Sequence, residues 1–402
     1  AASGSASTLP DAAPAHPARV PEVAGRLHGR EAELERLGRA LADEEARLVT
    51  LTGPGGCGKT RLALELAAAL LAALREAVWV VPLADASRLL PAIVRALGVK
   101  ATPGEDPLLD LVGALPEGRS LLVLDGFEPL LGDGAAALRG LLDQAPALRC
   151  LVTSRRRLGL EGERVVPLAP LGLDAAVALF LERGRKARPD LARDVHVEAL
   201  CRRLDGLPLA VELAASWMGT LEPPELLERL NRRPDEVLRR QGRLGVREAT
   251  EATLGLLPEA PQRLARDLSI FRGGFALEDA EVVCGSDAVS LETLEELREA
   301  GLLATAEGAG RRRLLERMRE LLHERLDPAR RAELERRHAE RFAGLADEAR
   351  DQLAEPERAR WLKRLEPELA NARAAVLWSQ AAPDRCDVGR LGVGVSLVAG
   401  SV

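Results

Sequence analysis

A lysine and a threonine set side by side behind a run of glycines can hold a polyphosphate. Gly53-Pro54-Gly55-Gly56-Cys57-Gly58-Lys59-Thr60 fits the pattern G-x-x-x-x-G-K-[ST] at every fixed position. The glycines let the backbone curl so that several N–H groups and the N-terminus of the next helix face an anion. Lys59 then reaches the β and γ phosphates, and the Thr60 hydroxyl ligates Mg²⁺. Leu121-Leu122-Val123-Leu124-Asp125 is four apolar residues ending in an acid. It has the form of the strand whose carboxylate holds Mg²⁺ beside such a loop. Cys150-Leu151-Val152-Thr153-Ser154-Arg155 is a second apolar strand, ending in hydroxyls and a guanidinium that can take a γ phosphate in a bidentate contact. Glu128, just past Asp125, either orients an attacking water or is an acid that suits a helix N-terminus.

These groups work together only if the chain gathers them at one edge. From Arg26 to Pro167 apolar runs and helical patterns alternate, with strands expected near 48–53, 77–83, 120–125, 148–153 and 163–167. Helices are expected at about 31–44, 58–74, 86–97, 106–115 and 134–144. Such alternation gives an α/β domain, a parallel sheet with helices on both faces, placed here at 25–169. Only helical patterns continue from Leu171 to about Asn231, so an all-α domain is expected at 170–236. After the arginine-rich segment Arg232 to Arg247 come helices near 260–271, 277–284 and 290–301. A short hairpin follows, from Leu302-Leu303-Ala304-Thr305 to Arg311–Leu315. Three helices and a two-stranded wing predict a winged-helix domain at 237–327. Amphipathic helices fill 328–383, while 1–24, rich in Ala, Pro and Ser, reads as a flexible linker and 384–402 as an irregular tail.

Composition narrows the class. The 402 residues, 47% hydrophobic and 29% charged, suffice for two to four globular domains. The apolar stretches are too short to span a bilayer and the N-terminus has no basic-then-apolar leader, so no membrane contact and a cytoplasmic location are expected. A net charge of -6 argues against a dominant nucleic-acid-binding surface. Cys57, Cys150, Cys201, Cys284 and Cys386 are scattered, with no C-x-x-C pair, and read as buried or incidental thiols. Lys59, Lys100, Lys186 and Lys363 are the only lysines among 56 basic residues, and one of them stands where the loop needs it.

Four segments in order carry a resemblance to a known family: Leu27-His28-Gly29-Arg30-Glu31, the glycine-rich loop, Thr153-Ser154-Arg155, and Gly206-Leu207-Pro208-Leu209-Ala210. Together they resemble the NB-ARC group of signal-transducing ATPases, the STAND class, and most of all the bacterial regulators that join this module to LuxR-type or other DNA-binding effectors. The likeness extends through the string from Leu268 to Gly285 and, more loosely, from Arg331 to Ser379.

The resemblance implies an ATP/ADP-binding switch with Mg²⁺ and weak ATPase activity. Leu27, His28, Gly29, Arg30, Gly53, Pro54, Gly55, Gly56, Cys57, Gly58, Lys59, Thr60 and Arg61 would border the nucleotide, and Pro208 would pack on the base. Lys59, Asp125, Glu128 and Arg155 would serve hydrolysis, with Arg155 sensing the γ phosphate, and Thr60 and Asp125 would hold the metal. It further implies closure over ADP, self-association in the ATP state, a protein or small-molecule signal received through C-terminal helices that begin tetratricopeptide-like repeats, and DNA contact through a domain outside this chain. Two positions depart from the pattern. Gly126 follows Asp125 where plant and animal relatives carry a second acid, and Leu314-Leu315-Glu316 replaces their ADP-contacting histidine. An alternative is a DNA-binding protein that reads DNA through the winged helix, with Arg311-Arg312-Arg313 or Arg239 to Arg247 on phosphates.

Overall fold

The computed structural model describes residues 20–21, 25–43, 45–74, 77–99, 106–116, 118–239, 245–306, 310–352 and 358–381. The linker expected at 1–24 falls mostly outside these residues, and the tail expected at 384–402 entirely so. The chain forms two compact units, one of residues 1–52 and 58–168, the other of residues 53–57 and 169–402.

The first unit is a five-stranded parallel sheet. Its strands are β1 (Leu48–Thr52), β2 (Ala77–Pro82), β3 (Ser120–Asp125), β4 (Leu148–Ser154) and β5 (Glu163–Pro167), in the spatial order β2-β3-β4-β1-β5. β1 and β4 are buried along their whole length. That burial is the mark of a parallel sheet covered by helices on both faces, and it explains why these strands read as unbroken apolar runs rather than alternating ones. The fold is an α/β phosphate-loop fold, as the sequence pattern predicts. Strand order changes direction around β1, so the loops after β1, β3 and β4 converge at one edge, where ligands bind in open α/β sheets. The register sets that edge: Thr52 aligns with Ser154, and Asp125 with Thr153. Below it, Trp79, Ile93, Leu122, Leu124, Phe127 and Leu138 form one apolar core.

Among its described residues the second unit's regular elements are helices and one hairpin. Helices Leu173–Gly184, Val195–Arg203, Pro208–Ala215 and Pro223–Arg232 come first. Asp194 caps the second of them, its carboxylate accepting from Val197 N. Four helices, Val246–Gly255, Glu259–Leu268, Leu277–Cys284 and Leu291–Glu299, then precede β6 (Leu303–Thr305) and β7 (Arg312–Leu314), which pair antiparallel. Residues 307–309 of the expected hairpin turn lie outside the described residues. Helices Glu316–Glu324, Pro328–Gln352, Arg358–Leu365 and Leu369–Ala381 complete the unit. Phe271, Phe275 and Phe342 anchor its core, with Trp361 and Trp378 packed against it.

Candidate nucleotide-binding site

The glycine-rich loop leaves β1 at Thr52 and enters the helix Lys59–Leu74. Gly58 O accepts from Leu62 N at 3.0 Å, so the helix begins at the motif itself, with its N-terminus at the loop. Lys59 is buried, 9% exposed, in the first turn. Its neighbour Thr60 turns to the sheet, where Oγ1 donates to Asp125 Oδ1 at 2.7 Å. The two residues expected to share a metal are therefore together, although 65 positions apart in sequence.

A third residue completes this cluster. Thr153 Oγ1 donates to the same Asp125 oxygen at 2.6 Å and accepts from Gly126 N at 2.9 Å, while Thr153 O accepts from Phe127 N at 3.0 Å. The register places Thr153 directly beside Asp125, which is why its hydroxyl can span carboxylate and following amide. The sequence marked Thr153 only as a hydroxyl at a strand end. Gly126 has φ +77°, a conformation that L side chains rarely adopt, so a second acid at this position would be strained. Glycine at this position, where the pattern of plant and animal relatives has an acid, suits the backbone found here. Glu128 opens the short 3₁₀ turn Glu128–Leu130 and lies 3.6 Å from Arg155, Oε1 to Nε. The expected γ-phosphate sensor and the acid expected to orient water or suit a helix N-terminus are thus mostly buried against each other.

Arg61 donates to the carbonyl of Gly25, tying the segment before the first helix to the helix after the loop. In that segment Leu27 and His28 are half-buried and Gly29 is exposed. Arg30 is buried at the start of the helix Glu31–Ala42 and pairs with Glu33 at 2.8 Å.

In the second unit, loop residues 54–56 are covered one by one. Leu209 N donates to Gly56 O at 3.1 Å, and Leu209 follows Pro208, the first residue of its helix. A Cβ on Gly55 would meet Ala249 Cβ at 2.9 Å, and one on Gly56 would meet Leu209 Cβ at 2.8 Å. Pro54 sits on Gly301, where a Cβ would come within 2.1 Å of its ring. Ala249 and Gly301 gave no signal in the sequence.

Among the described residues no group of three His, Cys, Asp or Glu side chains could hold a metal by itself. A single carboxylate with an adjacent hydroxyl suits Mg²⁺, which keeps water and phosphate oxygens in its shell. The residues present therefore fit Mg²⁺ with a nucleotide. Cys57 is buried, and burial pushes the Cys150 and Cys201 thiols up to about 12, which leaves these two protonated and inert, as expected of packing cysteines. No described helix is long and apolar enough to cross a membrane.

No family model matches the chain. It is 40% identical over 275 residues to the uncharacterized protein Rv0894 of Mycobacterium tuberculosis, across 64% of this chain and 69% of that protein. It is 33% identical over 365 residues to the "Putative HTH-type transcriptional regulator Rv0890c" of the same organism, across 85% of this chain but 40% of that protein. Among solved structures it is similar to the Walker-type ATPase paby2304 of Pyrococcus abyssi, at 14% identity and a TM-score of 0.47 over 74% of this chain and 96% of that one.

Proposed function

This chain belongs to the family of the mycobacterial protein Rv0894, and on that premise we propose that it is an ATP/ADP-binding molecular switch of a bacterial transcriptional or signalling regulator, with slow ATP hydrolysis. The observation that carries this reading is the hydroxyl–carboxylate cluster Thr60–Asp125–Thr153 at the end of a complete phosphate-loop motif. Lys59 would hold the β and γ phosphates, and Thr60 and Asp125 would hold Mg²⁺, which neutralises phosphate charge when bound. Thr153 fixes the rotamer of Asp125. Arg155 exchanges Glu128 for a γ phosphate, a trade between two anions that leaves Glu128 released to orient water. Such an exchange depends on the third phosphate, which ADP lacks, and a difference of that kind is what biases a two-state equilibrium.

In this reading residues 170–236 form the helical domain, 237–327 the winged helix and 328–383 the entrance to tetratricopeptide-like repeats, with Leu27–Arg30 and Pro208 bordering the base. Likeness to part of a transcriptional regulator supports DNA control by a segment beyond the shared region. Direct DNA reading by the hairpin is disfavoured, because Arg311 and Arg313 spend their guanidinium groups on Glu368 and Asp205. Isothermal titration of Lys59→Ala tests the assignment: ATP affinity should fall by about 100-fold or more. Unchanged affinity in a folded variant refutes it.

A further inference from the structure

Among the described residues, Asp205 is the one non-glycine residue with positive φ, 52°. It ends the helix Val195–Arg203 and leads into Gly206-Leu207-Pro208-Leu209. Aspartate tolerates this conformation better than most residues, yet it remains costly and persists only where the surroundings enforce it. Here they do so through the side chain, which is 5% exposed. One carboxylate oxygen accepts from Arg313 Nη1 on β7, and the other from the backbone N–H of Glu316, the first residue of the helix Glu316–Glu324. Asp205 therefore acts as a cap borrowed from another part of the chain for one of that helix's free donors.

Three residues beyond Gly206, Leu209 donates its N–H to Gly56 and packs on the Gly56 Cα. Gly206 itself is fixed, its carbonyl accepting from Leu171 N at 2.9 Å. The strained turn is thus short, held at both ends, and joined to the phosphate loop at one of them.

We propose that Asp205 and Arg313 are positioning residues for the phosphate loop: the ion pair fixes the turn at 205–206, and the turn fixes the backbone of Gly56 through Leu209. The inference rests on the nucleotide-binding role of that loop, but the contact itself exists without nucleotide. Hydrogen exchange of the nucleotide-free protein, read on the peptide spanning 53–57, therefore tests the positioning separately from the binding. Asp205→Asn keeps the size, the tolerance for positive φ and one acceptor for Glu316, and loses the charge and the acceptor facing Arg313. It should raise exchange at 53–57 and 206–209 at least about threefold, with the melting temperature within a few degrees of wild type. Dissociation of a fluorescent ADP analogue should speed up in step. Arg341→Gln breaks a comparable pair with Asp279 elsewhere in the unit and should leave 53–57 at the wild-type rate. Unchanged exchange at 53–57 in Asp205→Asn, or an equal rise in Arg341→Gln, overturns the proposal. Failure of the wild-type protein to bind the ADP analogue would instead remove the nucleotide reading and leave the exchange result standing.

Discussion

The two units hold their carboxylates in opposite ways. At the sheet edge Asp125 accepts from two hydroxyls, of Thr60 and Thr153. In the second unit Asp205, Glu368 and Asp279 each face a guanidinium, of Arg313, Arg311 and Arg341. Neutral donors orient a carboxylate without cancelling its charge, an arrangement that suits a cation site at Asp125. A guanidinium cancels that charge and supplies directional donors, so the second set are links between elements. Glu368 extends its link further: Asn371 Nδ2 donates to it at 3.0 Å and to Gly274 O at 2.8 Å, and Asn371 Oδ1 accepts from Arg272 N at 2.7 Å. The helix Leu369–Ala381 is thereby bolted to the turn beneath the hairpin. Chemistry and architecture are separated by the kind of partner each acid receives, and in the candidate site the architectural kind of pair enters at Glu128 with Arg155 and at Glu33 with Arg30.

The largest effect that would sharpen this contrast is on stability. Glu368→Ala leaves Arg311 buried and unpaired and should cost about 3–5 kcal/mol in urea unfolding of the second unit; a loss below about 1 kcal/mol would show that water rescues the site and that the pair is no link. Asp125→Asn should behave in the reverse sense. It preserves the fold, with a melting temperature near that of wild type, and lowers Mg²⁺-dependent ATP affinity about 100-fold, close to 2.7 kcal/mol. If the melting temperature collapses instead, Asp125 belongs with the structural acids.

A pH titration probes the architectural side further. Burial is the main reason that the His338 and His323 imidazoles are pushed down to about 4; neighbouring arginines push the same way, and the Asn371 contact opposes it at His338. The unfolded chain takes up these protons below about pH 6.5 and the folded chain does not until about 4. The stability they contribute is therefore complete above 6.5 and is lost as pH falls through that window, by up to about 1.4 kcal/mol per pH unit for buried His338. His323, half-buried, adds less in the same direction. Urea midpoints at pH 7.5 and 5.5 should show the decline, and His338→Gln should flatten it; an unchanged slope in that variant would mean that His338 is protonated in the fold. The smallest effect is at Thr153. Thr153→Val removes a donor to Asp125 and an acceptor for Gly126 and should cost about 1 kcal/mol in Mg²⁺-dependent binding, whereas Thr153→Ser should retain it. Equal behaviour of the two variants would dismiss the hydroxyl.

Much of this was legible in the chain itself, because it is local. The strand, loop and helix around Lys59 follow from a β-branched apolar run, a glycine cluster and an alanine- and leucine-rich segment, each specified within a few residues. All five strands of the sheet appear close to where their apolar runs predict them. The helix Val246–Gly255 carries no aromatic residue, and its sequence gave little sign of the role that Ala249 takes over the loop.

Which side chains meet was decided elsewhere. Thr153 reaches Asp125 because β3 and β4 pair in one register, and a slip of one residue would turn its hydroxyl to the opposite face. Asp205 and Arg313, 108 residues apart, meet through packing that no short-range pattern encodes. The sequence by itself determined that this protein carries a phosphate loop on a parallel sheet, since that depends on residue type and spacing. Only the tertiary structure decided which hydroxyl steadies the acid and which ion pair holds the loop, because register and packing are set by the whole core at once.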